Sequence, residues 1–376
     1  MLLHNVSLNR TEKRRNYCLL SARLGLPMSR TIYLNGRFKS HRVTGLQRYA
    51  QEVSARLASQ LEVCQPAVRL RGWRGHLWEQ TVLPLQSRSG LLWSPCASGP
   101  LLASNHVVTL HDIFPLESPQ WYSQAFVDWY RVMLSSLAKR SRHIIAVSHY
   151  TKSRLRNFFD IPEEKITVVY HGVDGAFACV TQNQVLAARA ALQLPSPNYF
   201  LFVGSLEPRK NLSRLLAAWS GIVNELPSDL WLIVAGAADL TVHQGSGLAH
   251  LPERVHMAGY VPDLHLHGLY AGSSALLYPS LAEGFGFPPL EAMAAGVPVL
   301  TSNVTALPEI CGAAAIYVDP RDVHSIAKSL LTLARDPSLR TRLADLGRTR
   351  AREFTWERTT ENTLRVLKTE AQRLDK

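Results

Sequence analysis

The sequence predicts an α/β protein in which two doubly wound parallel sheets face each other across a central cleft. The chain has 376 residues, which is enough for two domains that each bury a core of their own. In both halves, short apolar runs rich in β-formers alternate with helical patterns, as parallel sheets covered by helices on both faces require. A composition of 46% hydrophobic and 19% charged residues excludes a disordered or low-complexity chain.

The predicted elements repeat this alternation along the chain. Eight apolar runs are predicted to form strands, at residues 31–35, 107–110, 143–147, 166–170, 199–203, 230–235, 275–278 and 298–301. Helical patterns are predicted at residues 46–61, 121–141, 212–225, 290–295 and 323–335. Glycines and prolines punctuate the chain between His171 and Asn198, where we expect the two domains to join.

These elements suggest boundaries for the domains. We expect an N-terminal domain at residues 30–178, a C-terminal domain at residues 179–353, and a final helix at residues 354–376 that packs back on the N-terminal domain. Residues 1–29 are basic and lack the apolar core of a signal peptide. We interpret them as either a disordered tail or the result of an alternative translation start, and we assign no chemistry to them.

The positive charge of the chain is confined to its first half. The formal net charge is +12; residues 1–178 carry 23 Lys and Arg against 11 Asp and Glu, whereas residues 179–376 carry 18 of each. A field confined to one domain indicates that this domain meets an anionic surface or ligand. Anionic lipid, a phosphorylated substrate and nucleic acid fit this charge, as does simple solubility. No RNP, zinc-finger or KH-like motif accompanies it, so nucleic acid is not expected as a partner.

Cysteine spacing and hydropathy indicate the compartment. The five cysteines lie far apart without a CxxC pair, which argues against a disulfide framework or zinc site and favours a reducing compartment. No apolar run approaches the roughly 20 residues that cross a bilayer. The best candidate, residues 89–110, is interrupted by Pro95, Pro100, Asn105 and His106. We therefore expect a cytoplasmic protein that is at most peripheral to a membrane.

The first candidate motif, GSLEPRKNL, follows the fifth predicted strand. Gly204 allows a tight turn at the ligand, and Asn211 or Ser213 is expected to cap the helix that follows. Arg209 and Lys210 would stand at the positive end of that helix. Cations beside free N–H groups at a helix start form a pocket for a phosphate or diphosphate. Because the motif is neither a Walker loop nor GxGxxG, nucleoside triphosphatases and common dehydrogenases lose support.

The second candidate motif, EGFGFPPLEAMAAGVPV, begins at Glu283 after another predicted strand. Gly284 and Gly286 let the backbone approach a ligand closely and adopt positive φ, and the two prolines suit the first turn of a helix. Glu283 is therefore predicted on a loop and Glu291 on a short helix. Carboxylates accept hydrogen bonds from paired sugar hydroxyls, including those of a ribose. The two side chains are expected to contact different parts of one ligand.

Glu283 and Glu291, with the residues between them, resemble the E-x7-E signature of retaining glycosyltransferases of the GT-B fold. More narrowly, the sequence resembles family 4, also called group 1, over most of residues 31–367. The other matching segments are RVTGLQRYA from residue 42, VVTLHDIFP from 107, AVSHYTKSRL from 146, VYHGVD from 169, FVGSLEPRKNL from 202, AGYVPD from 258, LPEICGAAAIYVDP from 307 and FTWERTTENTL from 354. Together they are specific for the family but not for any one sugar.

The resemblance implies roles toward a nucleotide-sugar donor. Arg209 and Lys210 would bind the donor diphosphate and support the charge that departs with it. Glu283 would hold hydroxyls of the transferred sugar, and Glu291 would accept hydrogen bonds from the ribose. The backbone that approaches the sugar and the phosphates would be that of Gly284, Phe285, Gly286 and Phe287.

The resemblance also assigns residues outside the two motifs. His111 would lie over the sugar near the reacting carbon, and Gly45, in the first loop, would let the acceptor domain close on the diphosphate. Tyr260 and Val261 would cover the nucleobase. Many family members have Arg where this chain has Ser205, so phosphate binding would rest on the two cations of the first motif.

The implied function is transfer of a hexose, with retention of configuration, to a lipid-linked saccharide or polysaccharide acceptor on an anionic membrane. This would serve bacterial surface polysaccharide, either lipopolysaccharide O-antigen, capsule or exopolysaccharide. GDP-mannose is the first choice of donor, with GDP-rhamnose, dTDP-rhamnose, UDP-glucose and UDP-N-acetylglucosamine open. The sequence has no Asp-x-Asp motif, so neither a metal nor another cofactor is expected. The alternative is a non-catalytic nucleotide-sugar-binding module of the same fold.

Overall fold

The computed structural model describes residues 30–40, 44–70, 72–236 and 251–375. The basic segment at residues 1–29 lies outside them, so its interpretation stays a prediction. Within the described residues, each half of the chain contains one six-stranded parallel sheet. This is the doubly wound α/β architecture that the sequence predicts. In this part of the chain, no helix combines the length and the apolar composition that crossing a membrane requires.

The N-terminal sheet has the strand order β2-β1-β3-β4-β5-β6, with every neighbouring pair parallel. Its strands are β1 (Ile32–Asn35), β2 (Leu61–Cys64), β3 (Leu91–Ser94), β4 (His106–Leu110), β5 (His143–Ala146) and β6 (Ile166–Val168). The central strands β1, β3, β4 and β5 are buried along their whole length, which explains their near-continuous apolar sequences. Because the sheet is parallel, all six carboxyl ends lie at one edge.

Helices cover both faces of the N-terminal sheet. They are α1 (Gly45–Arg56), α2 (Trp73–Gln86), α3 (Phe114–Glu117), α4 (Gln124–Arg140) and α5 (His149–Phe159). Helix α1 packs on the face that presents Leu91 and Trp93. Helix α2 packs on the opposite face, against Leu92, and α4 and α5 continue the layer on that opposite face along the later strands.

The C-terminal sheet repeats this plan with the order β12-β11-β10-β7-β8-β9. Its strands are β7 (Tyr199–Val203), β8 (Trp231–Ala235), β9 (Val255–Gly259), β10 (Ala275–Tyr278), β11 (Val299–Ser302) and β12 (Ala315–Val318). The helices of this half are α6 (Gln182–Ala191), α7 (Leu212–Ile222), α8 (Asp263–Ala271), α9 (Phe287–Ala294), α10 (Leu307–Cys311), α11 (Val323–Arg335) and α12 (Pro337–Ala351).

The last helix, α13 (Trp356–Gln372), leaves the C-terminal half. Its buried residues Trp356, Leu367 and Ala371 join the core formed by α1 and the N-terminal sheet. The chain therefore crosses between the halves twice, once after β6 and once before α13. A parallel bridge between Val173 and Thr355 brings these two crossings together.

Several predicted elements differ from the structure, most of them at the sheet edges, although the missed strand β3 is central. The helix predicted at residues 46–61 is too long, because α1 ends at Arg56 and a strand, β2, begins at Leu61. Only the first and last residues of β2 are buried, so this edge strand lacks the continuous apolar run of a central strand. The sequence also misses β3, β9 and β12. Strands β9 and β12 are the two edges of the C-terminal sheet, and their half-exposed side chains weaken the strand signal.

Candidate active site

Glu283 lies at the centre of a buried polar cluster, on the loop between β10 and α9. Its Oε1 accepts hydrogen bonds from the Lys210 Nζ at 2.6 Å, the Tyr278 hydroxyl at 2.7 Å and the Ser280 hydroxyl at 2.8 Å. Its Oε2 accepts one from the Arg209 Nη1 at 2.9 Å. Four donors from two neighbouring segments therefore fix this carboxylate at the edge where β7 and β10 end.

The cluster holds Glu283 in its charged form. Burial alone would raise the pKa of this carboxyl, but the charges of Arg209 and Lys210 and the hydrogen bonds from Lys210 and Tyr278 outweigh burial and lower the pKa to about 2. Charge-assisted hydrogen bonds of this kind are about twice as strong as neutral ones. Glu283 is therefore ionised near neutral pH and acts as an acceptor.

The two cations of the first motif are already paired inside the protein. Besides Glu283, Arg209 donates to Glu207 at 2.6 Å and to the Ala282 carbonyl at 2.7 Å. Burial and the charge of Arg209 lower the pKa of Lys210 despite its carboxylate partners. The sequence predicts cations that face a ligand, whereas here the same side chains also neutralise two buried carboxylates. An anionic ligand would share them with Glu283 and Glu207.

The loop that carries these cations is fixed by Asn211. The sequence predicts Asn211 or Ser213 as the helix cap, but the Asn211 side chain makes no capping hydrogen bond although the residue precedes α7. Its Nδ2 donates instead to the carbonyls of Pro279 and Pro320, at 2.8 and 2.6 Å. Its backbone adopts a left-handed conformation with φ of 62°. Asn211 thus ties the loop after β7 to the loops after β10 and β12.

Glu291 lies on α9, as the sequence predicts, and it faces the N-terminal half. Its Oε1 accepts a hydrogen bond from the Arg48 Nη1 at 2.8 Å, and its Oε2 accepts one from the Tyr270 hydroxyl at 2.8 Å. The second Arg48 nitrogen, Nη2, lies 3.1 Å from Asp263. Burial raises the pKa of Glu291 more than Arg48 lowers it. Arg48, Asp263 and Glu291 border a cavity of about 170 Å³ between the halves.

The glycine loop between Glu283 and Glu291 packs against the carboxyl edge of the N-terminal sheet. A Cβ at Gly284 would lie 2.0 Å from the carbonyl oxygen of His111. The Gly284 carbonyl accepts hydrogen bonds from Ser148 at 2.7 Å and from Thr151 at 3.3 Å. Gly286 has φ of 109°, a conformation that other residues rarely adopt. Both glycines are therefore required, one by space and the other by backbone angle.

His111 lies at the end of β4, close to this loop. Its Nε2 is 2.9 Å from the Pro95 carbonyl, so the proton resides on Nε2. Burial lowers the pKa of His111 to about 4, more than its hydrogen bond to the carbonyl raises it. The ring is therefore neutral at pH 7. His171, whose ring centroid is 5.2 Å away, stacks on Phe287 and so joins His111 to the glycine loop.

The remaining predicted residues are less closely grouped. Gly45 is the first residue of α1 rather than part of a loop, and a Cβ on it would lie 3.0 Å from the Phe287 ring. The prediction that Gly45 lies in a loop was wrong, because α1 begins one residue before the apolar pattern that starts at residue 46. Gly204 follows β7 and needs no special conformation, since a Cβ there meets only ordinary contacts. Tyr260 is exposed and Val261 is buried after β9.

Sequence reasoning missed the side chains that hold the carboxylates. These are Arg48, Tyr270, Tyr278 and Ser280. The sequence also did not single out Glu207, a second carboxylate that pairs with Arg209. Tyr278 had the clearest signal, because a polar aromatic residue ends an otherwise apolar strand just before Glu283. Arg48 lay inside the matching segment RVTGLQRYA, but nothing in its spacing indicates a contact with a residue 243 positions later.

Two facing doubly wound sheets whose strands end at a shared cleft define the GT-B class of proteins. Family models agree with this class. Residues 186–350 match the glycosyl transferases group 1, and residues 85–177 match glycosyltransferase family 4. The chain belongs to this family of glycosyltransferases.

Two curated relatives and one solved structure illustrate the similarity. O-antigen chain mannosyltransferase B of Escherichia coli is 33% identical over 268 residues, which cover 70% of each chain. O-antigen chain mannosyltransferase RfbU of Salmonella typhimurium is 30% identical over 241 residues, and the match spans 63% of each chain, just under two thirds. Anabaena HepE, solved in complex with UDP-glucose, is 17% identical with a TM-score of 0.72, and the match covers 90% of this chain and 100% of HepE. At that identity, the HepE match supports the fold alone.

Proposed function

We propose that this protein transfers mannose from GDP-mannose, with retention of configuration, to a lipid-linked saccharide during assembly of bacterial surface polysaccharide. The names of both curated relatives denote mannosyltransferases of an O-antigen chain, which supports the sugar and the pathway. GDP as the nucleotide follows from the family resemblance. The location that fits this function is the cytoplasmic face of the membrane, where an anionic surface would meet the basic N-terminal half.

The observation that carries the proposal is the cluster of Glu283 with Arg209 and Lys210. A nucleoside diphosphate leaves readily only when its charge is neutralised, and preorganised cations achieve this with little rearrangement. In the proposed complex, hydroxyls of the transferred sugar donate to Glu283. Arg209 and Lys210 then turn part of their hydrogen bonding toward the phosphate oxygens. This scheme uses side chains alone, and we propose that the protein needs no metal.

His111 fits a positioning role beside the reacting carbon. Its ring is neutral at pH 7 and hydrogen-bonded to the Pro95 carbonyl at 2.9 Å. A neutral ring adds no positive charge near a carbon that becomes oxocarbenium-like in the transition state. In the proposal, His111 contacts the sugar and does not transfer a proton. Retention would follow from attack on the face from which the diphosphate leaves.

Donor binding tests the proposal first. Thermal unfolding is measured with GDP, UDP, dTDP and ADP and with their common sugar conjugates, with and without Mg²⁺. We expect GDP and GDP-mannose to stabilise the protein equally well in both conditions, by about 2.7 kcal/mol at a hundredfold excess over Kd. Stabilisation by another nucleotide alone would overturn the donor, and no stabilisation by any of them would overturn the function.

A substitution tests whether donor binding depends on the cluster around Glu283. Lys210→Ala removes a cation that would contact the diphosphate, so we expect at least about tenfold weaker binding of GDP and GDP-mannose. Lys368→Ala, on the exposed side of α13, is the matched control and should leave both affinities unchanged. Equal affinities in the unmodified protein and both variants would show that Lys210 does not bind the diphosphate.

The alternative is a binding module that has lost transfer. It shares the donor site, so binding does not distinguish it from an enzyme. A transfer assay, in which radiolabelled GDP-mannose is incubated with membrane-extracted lipid-linked saccharides, distinguishes the two. We expect transfer of label to the lipid fraction, and donor binding without transfer or donor hydrolysis would favour the binding module.

A further inference from the structure

Exposed apolar side chains concentrate on one part of the N-terminal half. Among the described residues, fifteen large apolar side chains are exposed, and eight of them lie between residues 63 and 132. Trp73, Leu77 and Leu85 on α2 are exposed to 70%, 53% and 67%, and Leu102 in the following loop is exposed to 77%. Val132 on α4 is exposed as well. Such a concentration on one surface marks an interaction site.

These residues share one face of the molecule. Trp73, Leu77 and Leu85 are spaced by multiples of four residues, so they form a single stripe along α2. Helices α2 and α4 lie on the same side of the N-terminal sheet, and the rings of His76 and Trp129 join them with centroids 4.9 Å apart.

The loop that carries Leu102 is fixed between the two helices. Gln80 of α2 donates to the Gly99 carbonyl at 3.0 Å and accepts from the Leu101 amide at 2.8 Å. Ser136 of α4 donates to the Leu101 carbonyl at 2.7 Å. Val132 lies one turn before Ser136 on α4. Leu102 therefore connects the α2 stripe with the exposed side of α4, and we call this continuous surface the α2–α4 face.

The charges on the α2–α4 face are mostly positive. Exposed cations on or beside the two helices are Arg69, Arg74, Arg88, Arg131, Lys139 and Arg140. The acidic residue of α2, Glu79, is buried and paired with Arg37 at 2.7 Å. The acidic residue of α4, Asp128, is paired with Arg131 at 3.4 Å. Apolar side chains surrounded by arginine and lysine are the pattern of a surface that lies on anionic lipid.

The α2–α4 face begins beside the cleft. Arg37 follows β1 at the carboxyl edge of the sheet, and its ion pair with Glu79 holds the first turns of α2 at that edge. Trp73, at the start of α2, is thus the end of the apolar stripe nearest the candidate active site. A bilayer in contact with this face would present a membrane-embedded acceptor to the cleft, a consequence that rests on the proposed function.

We infer that the α2–α4 face is the surface by which this protein lies on an anionic bilayer. Trp73, Leu77, Leu85 and Leu102 enter the headgroup region. The surrounding arginines pair with lipid phosphates. A second copy of the chain is a poorer occupant, because an isologous contact would place the same cations against each other.

Vesicle co-sedimentation of the full chain tests this assignment. Vesicles of phosphatidylcholine alone are compared with vesicles that also contain phosphatidylglycerol. We expect binding to the anionic vesicles that falls at high salt, and at least about tenfold weaker binding for each of two double variants, Leu77→Ser with Leu85→Ser and Arg74→Glu with Arg88→Glu. The control double variant, Leu186→Ser with Leu346→Ser, replaces exposed leucines of the C-terminal half and should bind like the unmodified protein.

Two outcomes would overturn the assignment. One is equal vesicle binding by all four proteins. The other is a dimer, measured by light scattering, that dissociates in the leucine variant while vesicle binding is unchanged. GDP-mannose stabilisation is measured in the same proteins. Loss of vesicle binding with donor binding intact supports the surface, and absence of donor binding in every protein counts against the proposed function alone.

Discussion

Glu283 is held by more donors than a carboxylate needs for stability. Lys210, Tyr278 and Ser280 share one of its oxygens, and Arg209 takes the other. A buried ion pair gains little over apolar packing, because desolvation offsets most of the attraction. Such a costly arrangement fits the proposed binding role, in which sugar hydroxyls would compete for the same oxygens.

Glu283→Gln is expected to weaken transfer strongly and to make stability depend less on pH. The lost charge-assisted hydrogen bonds should reduce kcat/KM by at least about 100-fold. The folded-state pKa of Glu283 lies below its ordinary value. Its ionisation therefore stabilises the fold above about pH 4.5, and this contribution is lost as the pH falls toward 2. Denaturant unfolding should show a deficit of about 3 kcal/mol at pH 7 that shrinks on acidification.

Glu361→Gln, on the exposed side of α13, serves as the control for both measurements. Transfer is assayed at a temperature where circular dichroism shows that each protein is folded. Normal activity and normal donor affinity in Glu283→Gln would show that the side chain does not contact the sugar. A stability deficit that does not change with pH would show that its carboxylate is not the group that titrates.

Arg48 is hydrogen-bonded to Glu291, the carboxylate that the family resemblance assigns to the ribose. It bridges Glu291 at 2.8 Å and Asp263 at 3.1 Å, and so connects α1 of one half with α8 and α9 of the other. A ribose that binds Glu291 in the place of Arg48 would replace the hydrogen bond between these two side chains. Arg48 would then hold the cleft closed in the absence of donor and compete with donor when it enters.

Arg48→Ala is expected to bind GDP-mannose several-fold more tightly, because Glu291 no longer has to release an ion pair. Isothermal titration calorimetry measures the affinity. Ala55→Ser, on the exposed side of the same helix, should behave like the unmodified protein. Weaker donor binding by Arg48→Ala would contradict competition and would place Arg48 among the groups that contact the donor.

The sequence predicted the charged residues of the site better than their partners. Glu283, Arg209 and Lys210 stand in short motifs after strands, and their types alone indicate phosphate and sugar chemistry. Whether the cations face a ligand or a carboxylate depends on how close two loops lie, and that distance is set by packing. For the same reason Asn211 was misread, since local spacing indicates a cap and only the fold brings Pro279 and Pro320 within its reach.

At the scale of elements, most central strands were predictable, although the buried central strand β3 was missed, and three of the four edge strands were not. Strand β10 matches its predicted span, Ala275–Tyr278, because it is buried on both faces and reads as a continuous apolar run. Strand β2 has only two buried residues, and the predicted helix ends on the first of them, Leu61. Helix α9 begins at Phe287, three residues before its apolar pattern, because Pro288 and Pro289 occupy its first turn.

The glycine loop before α9 offers a test at this scale. Gly284→Ala places a Cβ 2.0 Å from the backbone carbonyl of His111, and backbone cannot move aside as a side chain does. We expect a loss of at least about 1–3 kcal/mol in unfolding free energy and loss of transfer, because Glu283 moves with the loop. Gly175→Ala is the control, since its added Cβ meets no atom within 4 Å. Wild-type stability of Gly284→Ala would mean that the loop lies further from β4.

At the scale of the whole molecule, the two halves are joined by contacts that the sequence did not reveal. Glu309, on α10 of the C-terminal half, accepts hydrogen bonds from the backbone amides of His149 and Tyr150, at 2.6 and 3.0 Å. These amides are the first of α5, in the N-terminal half. A carboxylate at a helix N-terminus satisfies free N–H groups and interacts favourably with the helix dipole. One half of the protein therefore caps a helix of the other.

The hydrogen bonds from α5 to Glu309 predict that closure of the two halves is coupled to the stability of the protein. Glu309→Ala leaves two amides of α5 without their acceptor, so we expect a loss of about 1 kcal/mol and faster hydrogen exchange at His149 and Tyr150. Asp345→Ala, which removes an exposed carboxylate paired within its own helix, should change neither. Because Ser148 also donates to the Gly284 carbonyl, loosening α5 releases the glycine loop, and transfer should fall while α4 keeps its exchange protection. Unchanged exchange at both amides would show that the halves stand apart at α5 in solution, and closure would then depend on Arg48.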